Sequence, residues 1–128
     1  MEENWSRALI VALGGGLGSA LRYLIASQLT TRFGTGYPWG TTCVNLVGAL
    51  VFGVVWSASE TSSQAPLLRL FILTGMMGGL TTFSTLAFEV TDALLNQRAL
   101  VALTHTLLHA VLGVIVVWLG LSLGRVMQ

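Results

Sequence analysis

The run Gly75-Met76-Met77-Gly78-Gly79-Leu80-Thr81-Thr82-Phe83-Ser84-Thr85 gathers the groups most able to handle an ion. Two adjacent glycines followed by two β-branched threonines make a poor helix. A helix interrupted there releases main-chain carbonyls, which meet cations, and amides, which meet anions. The same residues also suit a tight packing seam, with the hydroxyls bonding back to their own helix. Asn45, in Thr41-Thr42-Cys43-Val44-Asn45-Leu46-Val47-Gly48, brings two amide donors and one acceptor into apolar surroundings. Such a donor serves either an anion or a hydrogen bond between helices. His105 and His109 stand four residues apart, so both rings reach one ligand. No third ligand is evident to complete a zinc site with them. Glu89 follows Thr81 and Thr85 at four-residue steps, a face that reads as a polar track or as an ion pair with an arginine. Arg22 either draws anions toward a vestibule or extends to the membrane interface.

These groups sit in a chain with few other polar resources. Of 128 residues, 54% are hydrophobic and 9% are charged. Soluble domains carry about 25% charge, so the natural solvent of this chain is lipid. A net charge of +1 and the lack of any basic stripe argue against nucleic acid as a partner. Cys43 is the only cysteine, which excludes an internal disulfide and any cysteine-based zinc site. The apolar start lacks the basic leader of a signal peptide, and three further apolar stretches follow it.

A helix needs about 20 mostly apolar residues to cross a bilayer. Four segments qualify: Ala8 to Gln28, Trp39 to Ser59, Leu67 to Asn96, and Ala99 to Leu123. The connections between them are short and polar. The expected fold is therefore all-α, a single four-helix integral membrane domain over residues 1–128, with the third helix broken at mid-membrane. Small residues at four-residue spacing, Gly14 with Gly18, Gly15 with Ser19 and Gly75 with Gly79, should let helices approach closely. The glycines do not form a dinucleotide fingerprint, because the spacing is wrong and no strand precedes them.

Orientation normally follows the arginine and lysine excess on the cytoplasmic side. One side of a four-span chain would hold Arg7, Arg69 and Arg125, and the other Arg32 and Arg98, with Arg22 nearer the latter. The near-balance favours insertion both ways up, unless an insertase or one decisive residue fixes the orientation. Insertion both ways up permits an antiparallel homodimer.

The run Gly78-Gly79-Leu80-Thr81-Thr82-Phe83-Ser84-Thr85 resembles the signature of the Fluc (CrcB) fluoride channels. So do Gly40-Thr41 with Val44 to Gly48, and Gly18 to Tyr23. The resemblance covers nearly the whole chain. It implies a passive fluoride channel of the bacterial inner membrane, built as an antiparallel dual-topology dimer with two pores. It also implies a structural sodium ion at the dimer centre, held by the backbone carbonyls of Gly78 and Thr81 and their symmetry mates. Under it, Asn45 is the pore amide, Phe83 presents an electropositive ring edge to fluoride, Ser84 and Thr85 belong to a hydroxyl track, and Arg22 is the vestibule arginine. Two positions depart from the family pattern: Leu86 replaces a second phenylalanine, and His105 stands where Tyr or Asn is usual. His105 is a candidate donor in place of the missing ring. A small multidrug-type proton-coupled transporter needs a mid-membrane carboxylate, which the first span lacks. A non-transporting scaffold would tolerate loss of Asn45.

Overall fold

The computed structural model describes residues 2–127. All regular structure among them is helical. Helix α1 spans Glu2–Phe33 and α2 spans Trp39–Ala58. The third span, Ala65–Leu95, comprises α3 (residues 65–80) and α4 (Phe83–Leu95). Helix α5 is the fourth span, Ala99–Val126. All four spans are long and apolar enough to cross a membrane.

Local chemistry sets the helix boundaries. Gly34 takes φ +76 and returns its amide to Thr30 O at 2.9 Å, which closes α1. Only glycine adopts that left-handed cap without steric cost. Pro38 precedes α2 and cannot extend α1, and Pro66 lies in the first turn of α3, where its missing N–H costs nothing. Arg69 ties the α2–α3 corner. Its guanidinium lies 4.3 Å from the centroid of the Trp56 ring and donates to Trp56 O and Ser59 Oγ, each at 2.9 Å. Arg98 closes the last corner with a 3.0 Å bond to Asp92.

Packing runs along two glycine seams. Between α1 and α3, a methyl on Gly14 would strike Phe71 O, one on Gly18 Met76 O, and one on Gly79 Gly15 O. Between α2 and α5, a methyl on Gly53 would strike Val117 O, one on Gly120 Leu50 O, and one on Gly124 Val54 O. The first seam follows the Gly-x-x-x-Gly spacing. The second uses Gly53 against Gly120 and Gly124, which the sequence reading did not single out. Backbones that touch directly gain close-range dispersion contacts, the main source of helix association in lipid. Val44, Leu73, Met77 and Leu80 form the small apolar core between the seams. The outward surface is also apolar: Leu9, Leu13, Leu17 and Leu21 on α1 are all exposed. Gly120→Leu should lower stability by about 2–3 kcal/mol through overpacking, whereas Gly16→Ala, helical with open space around it, should gain up to about 1 kcal/mol. Unfolding in detergent micelles measures both.

Candidate functional site

The local geometry of the third span starts with its winding. Residues Leu70–Met77 are wound as a π-helix and Gly78–Leu80 return to α geometry. Helical geometry then stops for two residues. Thr81 takes φ −82, ψ 155 and Thr82 takes φ −150, ψ 117, both extended. The glycines expected to open the helix are therefore helical themselves, and the two threonines carry the irregular backbone. β-branched side chains favour extended conformations, which fits that placement.

Asn45 holds this segment open. Its Oδ1 accepts from Thr82 N–H at 2.7 Å, and its Nδ2 donates to Thr82 O at 3.1 Å. The carboxamide thus reproduces a peptide's pairing and satisfies both main-chain groups of a buried residue. One Nδ2 hydrogen remains for another acceptor. Two amides that a continuous helix would give to carbonyls four residues earlier are diverted here. Thr82 N–H goes to Asn45 rather than Gly78 O, and Thr85 N–H goes to Thr82 Oγ1 at 3.2 Å rather than Thr81 O. The carbonyls of Gly78 and Thr81 consequently lose their helical donors.

The hydroxyls of Thr82, Ser84 and Thr85 are bonded together through Thr82, while that of Thr81 turns back to its own helix. Thr81 Oγ1 donates to Met77 O at 2.8 Å. Thr82 Oγ1 donates to Thr85 Oγ1 at 3.0 Å. A hydroxyl has one hydrogen, so Thr82 is the acceptor in its 3.3 Å contact with Ser84 Oγ. Thr85 then keeps its own hydrogen. Ser84 and Thr85 line an open cleft of about 640 Å³ together with Arg22, Ser19 and Thr41. Asn45, Gly78 and Thr81 line a second cleft of about 390 Å³ with Gly48 and Phe52. Asn45 also borders a third, of about 560 Å³, shared with His109 and Gly113. Phe83 points outward and is 80% exposed.

His105 lies apart from both groups of residues. It is 1% exposed, and its Nε2 is 3.0 Å from Glu89 Oε2. Its Nδ1 is 3.2 Å from Thr42 Oγ1. The other Glu89 oxygen accepts from Thr41 Oγ1 at 2.8 Å. The carboxylate therefore meets a histidine and a threonine, and of the two readings of its face the arginine pair is not made, since Arg98 pairs with Asp92. His109 Nδ1 is 2.8 Å from His105 O. A carbonyl only accepts, so Nδ1 carries the proton and Nε2 points away, buried without a partner. Among the described residues no three His, Cys, Asp or Glu side chains converge as metal ligands. Sequence reasoning passed over Thr41, Thr42 and Tyr37 as members of this network. The Gly40-Thr41 motif was the available signal for the first.

Residues 9–121 match the family model described as CrcB-like protein, Camphor Resistance (CrcB). A relative from Nitratidesulfovibrio vulgaris strain DP4, named fluoride-specific ion channel FluC, is 44% identical over 123 residues, 93% of this chain and 97% of the relative. A relative of the same name from Clostridium novyi strain NT is 39% identical over 125 residues, 97% of this chain and 98% of the relative. This chain belongs to the CrcB-like family. Its resemblance in the Gly78 to Thr85 run thus extends over nearly the whole sequence. Within this CrcB-like chain Leu86 is half-buried, and Phe88 borders a different cleft beside Glu89 and Asp92. Two residues of helical rotation turn Phe88 away from the direction of Leu86, so it does not take the place of the missing ring.

Proposed function

We propose that this chain is one subunit of a passive, fluoride-selective channel that lets fluoride leave the bacterial cytoplasm across the inner membrane. The observation that carries the reading is the extended Thr81–Thr82 segment clipped by Asn45 beside a hydroxyl-lined cleft. Its relatives' shared name supports the choice of ion.

Fluoride is small and holds water tightly. A passage that admits it and rejects chloride must replace that water with closely spaced donors, and must bind weakly enough to release the ion. The donors left over by the internal bonding are the second Nδ2 hydrogen of Asn45 and the hydroxyl of Thr85, with Ser84 free to turn from Thr82. The Phe83 ring edge adds weak positive potential without a charge that would trap the anion. Arg22 at the cleft raises the local anion concentration. None of these steps consumes energy, so the ion moves down its gradient and the chain acts as a channel, not an enzyme.

A lone subunit leaves this apparatus unfinished. Phe83 projects from it, and Gly78 is exposed with nothing within 4 Å of where a Cβ would stand. A second copy in antiparallel orientation, as the balanced arginines allow, completes two ion paths. The interruption of the third helix then lies at mid-depth, where bare carbonyls are tolerated only inside protein or beside an ion. Gly78 and Thr81 carbonyls, stripped of their helical donors, suit a hard cation with oxygen preference such as sodium. Two carbonyls undercoordinate such an ion, and two from the partner subunit raise the set. Bound there, the sodium would cancel carbonyl dipoles and lock the subunits together.

Purified protein in liposomes should release fluoride and retain chloride. Phe83→Ile should cut the fluoride rate by roughly tenfold or more while leaving the fold intact, because an exposed ring contributes little to packing. An ion-selective electrode reads both rates. Equal release of the two anions would defeat the reading. Proton-driven uptake of a cationic drug would favour a multidrug-type transporter instead.

A further inference from the structure

Five atoms form a connected chain of contacts: Pro38 O, Thr42 Oγ1, His105 Nδ1, His105 Nε2 and Glu89 Oε2. The separations are 3.0 Å from Thr42 to Pro38, 3.2 Å from Thr42 to His105, and 3.0 Å from His105 to Glu89. Thr42 owns a single hydrogen, and that constraint links the contacts into two states. When Thr42 donates to Pro38 O, His105 Nδ1 must carry a proton and donate to Thr42. The Nε2–Oε2 contact then needs one proton more, held on either atom. When that proton leaves, Thr42 turns its hydrogen to Nδ1, and Nε2–H donates to the carboxylate. Pro38 O still accepts Thr42 N–H at 3.2 Å. Every group stays paired in both states, and only a hydroxyl rotates.

We infer that Glu89 and His105 share one exchangeable proton, and that its release slows anion passage through this chain. The inference rests on the channel reading above. The pair is neutral overall with the proton and carries one negative charge without it. Thr41 couples the pair to the ion path, because it bonds Glu89 and also lines the cleft of Ser84 and Thr85. The proton has an open route. Glu89 is 25% exposed and borders a cleft of about 180 Å³ with Tyr37, Asp92 and Arg98.

The charged and titratable neighbours are few. Helix α4 supplies Glu89 and Asp92, the latter paired with Arg98 at the start of α5. Helix α5 supplies His109, whose ring centroid lies 4.6 Å from that of His105. The α1–α2 connection supplies Tyr37, its ring 5.6 Å away in an edge contact and its hydroxyl buried without a partner. Helix α2 presents the hydroxyls of Thr41 and Thr42, and α1 presents Arg22 across the cleft lined by Thr41.

Fluoride efflux from liposomes should be measured from pH about 5.5 to 8.5, the range in which histidine changes charge. Leak from protein-free vesicles is subtracted, since neutral hydrogen fluoride crosses lipid unaided. Efflux should fall by roughly tenfold with rising pH, as one negative charge appears beside the path at an intermediate dielectric. Glu89→Gln and His105→Asn should each flatten the profile, and His109→Gln should keep it. NMR of isotope-labelled histidine reads protonation without any transport. As pH falls, His105 should gain a proton or move its hydrogen from Nε2 to Nδ1 in the parent protein, and the change should be altered in Glu89→Gln. A flat efflux profile in the parent protein, or a His105 that keeps one protonation state and one tautomer throughout, overturns the inference. Absence of fluoride flux at every pH, with the linked titration intact, would instead sink the channel reading and leave the shared proton standing.

Discussion

Asn45→Leu is expected to abolish fluoride flux and to lower the stability of the subunit by several kcal/mol. Leucine shares asparagine's branching and number of side-chain heavy atoms, is bulkier, and offers no polar atom. Thr82 N–H and Thr82 O then lose partners at 2.7 and 3.1 Å in a buried setting. Each stranded group costs about 1–3 kcal/mol, and water cannot easily reach Thr82 to replace the side chain. The third span escapes that cost by closing into continuous helix, which returns Thr82 N–H to Gly78 O. That change would also bury the carbonyls assigned to sodium and move Ser84 and Thr85 around the helix axis. Asn45→Asp separates the two roles. Aspartate keeps the acceptor for Thr82 N–H, loses the donor to Thr82 O, and places negative charge beside the path. Its melting temperature should lie between those of the parent and the leucine variant, with fluoride flux near background. Thermal unfolding in detergent and liposome efflux check both variants. Normal flux through Asn45→Leu would show that Asn45 neither holds the segment nor serves the ion, as a scaffold would allow.

Much of the fold was legible because lipid imposes a length. Four apolar stretches correspond to four spans, although α1 runs from Glu2 to Phe33, beyond the apolar segment at both ends. Its end is set by the left-handed Gly34, a local cap that hydropathy does not register. The α1–α3 seam was visible in the spacing of Gly14 with Gly18 and Gly75 with Gly79. Gly120 and Gly124 carry the same spacing. Their partner Gly53 stands alone in α2, so that seam needed the helix register to be recognised. The weak point of the third span was visible to within a few residues. Its true position, Thr81–Thr82, depends on which α2 residue reaches it, and no local pattern encodes that reach. Glu89 and His105 are 16 residues apart on facing helices. Their pairing follows from the tight corner at Asn96 to Arg98, where Gln97 takes φ 57 and Arg98 N–H closes onto Ala93 O at 2.7 Å. A side chain with positive φ is uncommon outside glycine, so sequence alone gave little hint of that turn.

Gly78→Leu should leave the subunit folded and remove the function. Gly78 is helical at φ −60, ψ −36, so its backbone does not require glycine. Within the subunit a Cβ there would meet nothing within 4 Å. Glycine in a helix interior costs roughly 1 kcal/mol relative to alanine, so an isolated subunit would gain from alanine or leucine here. Glycine at this open, helical position leaves room for another backbone to pack against it from outside. Under the proposed assembly that backbone is the partner subunit's, approaching close enough for both sets of carbonyls to meet one sodium. A leucine side chain would hold the two backbones several ångströms apart, since small residues are what permit direct helix contact in lipid. The variant should show unchanged helix content by circular dichroism and a monomeric mass in detergent. Its fluoride efflux should equal that of empty vesicles, and sodium should no longer raise its melting temperature. Gly78→Ala should fall between, with weakened assembly and partial flux. A Gly78→Leu protein that remains dimeric and conducts would place the partner on another face, and the carbonyls of Gly78 and Thr81 would need a different explanation.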